Sequence, residues 1–164
     1  MNEQLPDHNA FYKEGFCIST EKARLDIKAI HHFLSTQSYW CQNIPYNRVE
    51  EAIAHSLNFG LYEKEKQIGF SRVITDFSTV AYLGDVYILP AFRGRGLSKW
   101  LIQTILEYPG LQGLRRWILS TKDAHGLYEQ FGWVPLAFPE RWMEIHNGQV
   151  YQSIIQDSSE RTAC

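Results

Sequence analysis

The segment Asp85-Val-Tyr-Ile-Leu-Pro-Ala-Phe-Arg-Gly-Arg-Gly-Leu-Ser-Lys-Trp-Leu101 changes character twice. Its opening residues are mostly β-branched, aromatic or aliphatic, as in a strand, and Pro90 ends that run. After Gly94 and Gly96, the residues Leu97, Trp100, Leu101, Thr104, Ile105 and Tyr108 recur at helical spacing until Pro109-Gly110. A strand therefore hands over to a helix through two glycines. Such a turn lets successive backbone N–H groups converge on one spot, where the helix dipole adds about half a positive charge. Phosphate or pyrophosphate suits that spot, and Arg93 and Arg95 add mobile charge beside it. A plain tight turn with solvated arginines would carry the same two glycines. A dinucleotide fingerprint needs a glycine at position 99, which is Lys99, and an ATP-type loop needs Gly-Lys followed by Ser or Thr, which is absent. NAD and ATP are the wrong anions.

Upstream, Phe16 to Thr20 reads as a strand, and Ala23, Ile27, Ile30 and Leu34 place a helix through about Ser35. Asn47, three residues before Glu50, resembles a capping box opening a second helix, with Val49, Ala52 and Ile53 as its buried stripe. From Leu57 to Leu89 the side chains predict three strands in an antiparallel meander, turning at 63–66 and 76–79. Downstream, Trp117-Ile118-Leu119 is a short strand. Asp123 is expected to cap a helix carrying Ala124, Leu127, Tyr128 and Phe131, closed by Gly132. Trp133 to Ala137 and Trp142 to His146 are expected to complete the sheet, and the Asn147-Gly148 turn to fold Val150 and Tyr151 back onto it.

The order of elements predicts an α+β, three-layer fold: a central mixed, mostly antiparallel sheet of about six to seven strands flanked by about four helices. The 164 residues suit one domain over 1–164, with 1–10 and 156–164 too polar to repay ordering. At 45% hydrophobic and 21% charged, the chain has the composition of a folded protein that needs neither metal nor disulfide. A net charge of −2 argues against nucleic acid as a partner. The polar start and the lack of a long apolar run predict no secretory signal, no membrane span and a cytoplasmic location. Cys17, Cys41 and Cys164 are too few and too scattered for a disulfide framework or a zinc site.

The run from Asp85 to Leu101, followed by Asp123-Ala-His-Gly-Leu-Tyr-Glu-Gln-Phe-Gly-Trp133, resembles the GNAT acyltransferase superfamily. The family's loop motif is Gln/Arg-x-x-Gly-x-Gly/Ala; here Ala91 fills its first position and Ser98 replaces a frequent third glycine, changes that leave the backbone donors intact. Leu127-Tyr-Glu-Gln-Phe-Gly132 matches the family's Leu-Tyr-x-x-x-Gly-Phe signature, with Trp133 for Phe. The resemblance implies a GNAT-like fold whose sheet splays between the strand of Tyr87 and Ile88 and the strand of Trp117. It further implies acetyl-CoA as co-substrate, its pantetheine arm on the backbone of Tyr87 and Ile88 and its pyrophosphate wrapped by Arg93, Gly94, Arg95, Gly96, Leu97, Ser98 and Lys99. An acetyl-CoA-dependent N-acetyltransferase acting on a small-molecule or peptide amine follows. A non-catalytic acyl-CoA-binding or sensing module of the same fold is the alternative.

Transfer to an amine needs the nucleophile neutral, and an alkyl amine of pKa about 10.4 is almost fully protonated at pH 7. Asp85 is the candidate base, in an apolar run where desolvation would favour proton uptake; a structural hydrogen bond at the strand is the other reading. Tyr128 takes the family's general-acid position, although its spacing with Ala124, Leu127 and Phe131 also suits the core. His125 stands near Tyr128. The adjacent His31 and His32 diverge by about 100° on a helix, so no metal is assigned. Tyr39, Trp40, Tyr46 and Phe59 are candidates to line an acceptor pocket, and the aromatics of the C-terminal region make a homodimer a candidate assembly.

Overall fold

The computed structural model describes residues 10–152. Six strands lie across one sheet in chain order: β1 (Ala10–Lys13), β2 (Phe16–Ser19), β3 (Leu57–Glu63), β4 (Lys66–Thr75), β5 (Val80–Ile88) and β6 (Arg116–Leu119). The helices are α1 (Ile27–Thr36), α2 (Tyr46–Ala54), α3 (Leu97–Glu107) and α4 (His125–Glu129). Neighbouring strands from β1 to β5 are antiparallel, whereas β6 runs parallel to β5. A parallel pair needs a crossover, and α3 supplies it. The α+β expectation and the GNAT-like sheet are thus what the chain adopts.

The helices sort to two faces by what they can bury. On one face α3 sets Leu101, Ile102 and Ile105 against Phe59, Val73 and Leu83. On the other, Ile30, Phe33 and Leu34 of α1 and Val49 and Ile53 of α2 pack on Phe70 and Tyr87. Each such aliphatic or aromatic burial contributes roughly 1.5–3 kcal/mol, which is what seats the short helices on the sheet.

Several boundaries differ from expectation. β1 was not foreseen: Glu14 and Gly15 both turn with positive φ (50° and 83°) and fold residues 10–13 back on β2. Residues 22–24 form only a 3-10 turn, so α1 starts at Ile27, where Asp26 accepts the Ala29 N–H at 2.9 Å. At α2 it is Pro45, not Asn47, that occupies the N-cap. Asp123 likewise does not cap α4; Ala124 stands there, and its N–H donates to Thr121 Oγ1 at 3.1 Å.

The main correction concerns the C-terminal region. Neither Trp133–Ala137 nor Trp142–His146 joins the sheet; a 3-10 turn over Pro139–Arg141 lies between them. Pro135 and Pro139 cannot donate to a ladder, and beyond them Met143 and Ile145 are fully exposed, meeting no surface among the described residues. Val150 and Tyr151 enter a helical turn instead of pairing back, the Val150 N–H donating to Asn147 O at 3.4 Å. Residues 1–9, the tail 156–164 and with it Cys164 lie outside the described residues.

Candidate active site

β5 and β6 pair only from Val80 and Arg116 to Leu83 and Leu119; beyond that point β5 runs on to Ile88 with no strand neighbour on that side among the described residues. On its other side, the register Phe70↔Tyr87 and Arg72↔Gly84 leaves Ser71 opposite both Asp85 and Val86, a β-bulge. Asp85 absorbs it in the left-handed region at φ 52°, a conformation Asp tolerates better than a β-branched residue would. The bulge bends β5 away from β6 and opens a cleft of about 500 Å³. Its floor is Val86, Tyr87 and Ile88, one end is the glycine loop, and Leu127 and Tyr128 of α4 form the far wall.

Tyr87 stacks its ring on Phe33, itself part of the cleft lining, at 3.7 Å and 10°, and burial pushes its phenol well above the ordinary range. At the loop end, Gly94 and Gly96 have φ of 75° and 74°, and a β-carbon on either would meet nothing within 4 Å. The glycines are there for their backbone angles, not for want of room. α3 starts directly behind them, Trp100 N–H donating to Gly96 O at 3.1 Å, while among the described residues no protein acceptor meets the N–H groups of 94–99. Unpaired donors at a helix N-terminus fit a diphosphate. Arg93 ties the loop to the strand by donating from Nε to Ile88 O at 2.9 Å. The side chains of Arg95 and Lys99 do not line the cleft; Arg95 lies over the Phe16 ring at 4.8 Å and 3.7 Å from Glu63 Oε1.

Tyr128 is 8% exposed and lines the cleft, its ring edge-on to Trp133 at 6.0 Å. Among the described residues nothing hydrogen-bonds its hydroxyl. Burial first, then the Tyr39 and Tyr82 phenols nearby, pushes it up to about 12. It stays protonated throughout the physiological range and has a free donor to offer.

Asp85 is ion-paired. Arg72 Nε donates to its Oδ2, Trp40 Nε1 donates to Oδ1 at 3.0 Å, and Arg72 also reaches Ser56 Oγ at 3.2 Å. Sequence reasoning missed Arg72. The available signal was a lone cation in an otherwise apolar and small strand, Ile68 to Ile74, which predicts a buried partner. Cys41 Sγ lies 4.0 Å from the same carboxylate oxygen; burial, with Asp85 second, pushes its thiol up to about 12. Tyr39 and Trp40, edge-on at 4.9 Å, roof the cleft, and Tyr39 Oη accepts the Lys122 N–H at 2.9 Å across its mouth.

The remaining candidates lie elsewhere. Tyr46 is edge-on to His31, whose Nε2 is 3.0 Å from Ile44 O, and Phe59 is wholly buried under α3. His125 lines a separate groove behind β6. Among the described residues no group of three or more His, Cys, Asp or Glu side chains is placed to hold a metal ion, and no helix is long and apolar enough to cross a membrane.

Residues 27–133 match the model of the acetyltransferase (GNAT) family. The chain belongs to the GNAT family. A Gibberella zeae protein named "putative acetyltransferase" is 35% identical over 135 residues, covering 69% of this chain and 75% of its own. A crystal structure of a Xanthomonas campestris protein described as a "putative acetyltransferase" of the same family is 46% identical, with a TM-score of 0.83, over 85% of this chain and 99% of that one. AAC(6')-Iy, solved in complex with the bisubstrate analogue CoA-S-monomethyl-acetylneamine, shares the fold at 18% identity and a TM-score of 0.59, over 82% of this chain and 99% of that one. In this GNAT acyltransferase, Gly94 and Gly96 stand at one end of the cleft beside β5.

Proposed function

We propose that this GNAT chain transfers an acetyl group from acetyl-CoA to a primary amine by direct attack on the thioester. The observation that carries the proposal is a continuous path: Gly94, Gly96, Leu97 and Ser98, whose N–H groups meet no protein acceptor among the described residues, the stretch of β5 over Val86–Ile88 beyond its pairing with β6, and Tyr128 all line one cleft. The loop holds the diphosphate, the backbone of Tyr87 and Ile88 holds the pantetheine arm, and the thioester lies between Trp40 and Tyr128.

The acceptor nitrogen, once neutral, forms a C–N bond to the carbonyl carbon while the C–S bond breaks and the electron pair leaves on sulfur. Asp85 takes the amine proton. Its two oxygens accept from Arg72 and Trp40, yet a carboxylate has about four acceptor positions, so capacity remains. Tyr128 donates a hydrogen bond to the departing sulfur. With its phenol near 12 and a thiol near 8.5, full proton transfer would be uphill by roughly 5 kcal/mol, so donation, not transfer, is its contribution. Cys41 supports direct attack over an acyl-cysteine route, because a thiol raised to about 12 is protonated at neutral pH and a poor nucleophile.

The test is thiol release from acetyl-CoA across a panel of primary amines, monoamines to peptides, with wild type and Tyr128→Phe. Wild type is expected to release thiol with at least one amine. Tyr128→Phe should cut turnover by about 10²-fold with cofactor affinity little changed. Tight acyl-CoA binding without release for any amine would favour the sensing module.

A further inference from the structure

Two lysines lay their ammonium groups on rings that line the cleft, one towards each end. Lys66 Nζ is 5.5 Å from the centre of the Phe92 ring, next to the glycine loop, and Lys122 Nζ is 5.7 Å from that of Tyr39. Both distances fall within the reach of a cation–π attraction. The two ends face different parts of a bound acyl-CoA. The loop end meets the diphosphate. The Tyr39 end meets the thioester, because Tyr39 is edge-on to Trp40 at 4.9 Å and its phenol bears on that of Tyr128.

Lys122 is fixed at its backbone and free at its side chain. Its N–H donates to Tyr39 Oη at 2.9 Å, its neighbour Asp123 lines the cleft, and Thr121 Oγ1 accepts the Ala124 N–H at 3.1 Å, so the loop after β6 keeps one position at the mouth. The side chain is exposed, and among the described residues its Nζ meets the Tyr39 ring and no carboxylate or carbonyl. Lys22, by contrast, commits its ammonium to Ala54 O at 2.6 Å. A flexible four-carbon stem lets the Lys122 Nζ swing off the ring. An amine tethered beside a bound thioester acts at an effective concentration on the order of millimolar and needs no affinity of its own.

We infer that Lys122 is an intramolecular acceptor, acetylated by the acetyl-CoA bound in its own cleft; the inference rests on the acetyl transfer proposed above. Lys122 Nζ gives one proton to solvent and then, neutral, forms a C–N bond to the thioester carbonyl carbon as the C–S bond breaks and the electron pair leaves on sulfur. A second proton, taken from nitrogen by Asp85, ends on that sulfur. The net change turns one ammonium and one thioester into one amide, one thiol and one released proton. The amide is neutral, so the modified chain no longer holds a cation on Tyr39 at the entrance. Lys66 makes the same ring contact at the diphosphate end and is not an acceptor.

Peptide-mapping mass spectrometry on the full chain, incubated with acetyl-CoA and no added amine, tests this. At about 50 μM acetyl-CoA, Lys122 should be acetylated at least about 10-fold faster than Lys66 or the exposed Lys28 and Lys64, from the ratio of effective to free concentration. The rate should hold constant across about a tenfold range of protein concentration, as a reaction within one molecule does. Wild type should release about one thiol per chain and stop. Lys122→Arg keeps the backbone donor and a cation for Tyr39; it should release none, yet turn over any free amine that wild type does. Lys122 modified no faster than Lys28 and Lys64, a rate rising in proportion to protein concentration, or equal thiol release from Lys122→Arg would overturn the inference. If a free amine turns over while Lys122 stays unmodified, the inference falls alone and transfer to free amines stands. If neither a free amine nor Lys122 is acetylated, the proposed function falls with it.

Discussion

Gly94 separates the charge of a side chain from the shape of the turn. A β-carbon there meets open space, so Gly94→Ala costs only the strain of φ 75°, about 1 kcal/mol, and should retain coenzyme A affinity. Gly94→Glu carries the same strain plus a carboxylate beside the proposed diphosphate. Calorimetry should show at least about 100-fold weaker binding for Glu and a small change for Ala; equal losses would mean the turn's shape, not its donors, is what matters. The glycines and Tyr128 were legible in the sequence because they form local motifs. Arg72 was not, because a cation in a strand reveals its partner only when another strand lays Asp85 beside it.

The decisive element is the bulge of β5. Asp85 serves there as a backbone joint at φ 52° and as a buried acid paired with Arg72. The two roles come apart by substitution. Asp85→Asn tolerates the left-handed angle and keeps an acceptor for Trp40, so it should fold while losing turnover if the carboxylate is the base. Asp85→Val loses the angle, the acceptor and the charge, leaves Arg72 uncompensated, and should lower the unfolding free energy by about 3–5 kcal/mol in urea titration. Turnover retained in Asp85→Asn would remove the base assignment. The bulge itself was invisible beforehand, since Leu83-Gly-Asp-Val-Tyr reads as an ordinary strand and only the offset against β4 shows the extra residue. The two missing C-terminal strands have the complementary cause: alternation predicts a strand, but a strand exists only where an edge accepts it.

Across the whole molecule, buried phenols set the alkaline limit. Tyr62 and Tyr128 are raised from 10.0 to about 12, each chiefly by desolvation, and Tyr87 moves further in the same direction. The unfolded chain releases these protons from about pH 10 while the folded one holds them, so stability falls as pH rises. Melting temperature should be insensitive to these groups below pH 10 and drop between about 10 and 12, with the tyrosinate absorbance of the buried tyrosines appearing together with unfolding. Tyrosinate appearing near pH 10 in the native state for every tyrosine would refute that burial.

Local chemistry lies in contiguous residues, so the sequence alone determined the meander, the glycine turn before α3, the Leu127–Gly132 signature and, through them, the family. What only tertiary structure decided depends on residues brought together from distant strands. The β5 bulge, the Arg72–Asp85–Trp40 cluster, the turning of Arg95 away from the cleft and the position of β6 at the sheet edge among the described residues each arise where one segment's side chains or backbone groups meet, or fail to meet, another's. Periodicity along a chain encodes which face is apolar, but not the register and pairing that choose its neighbour.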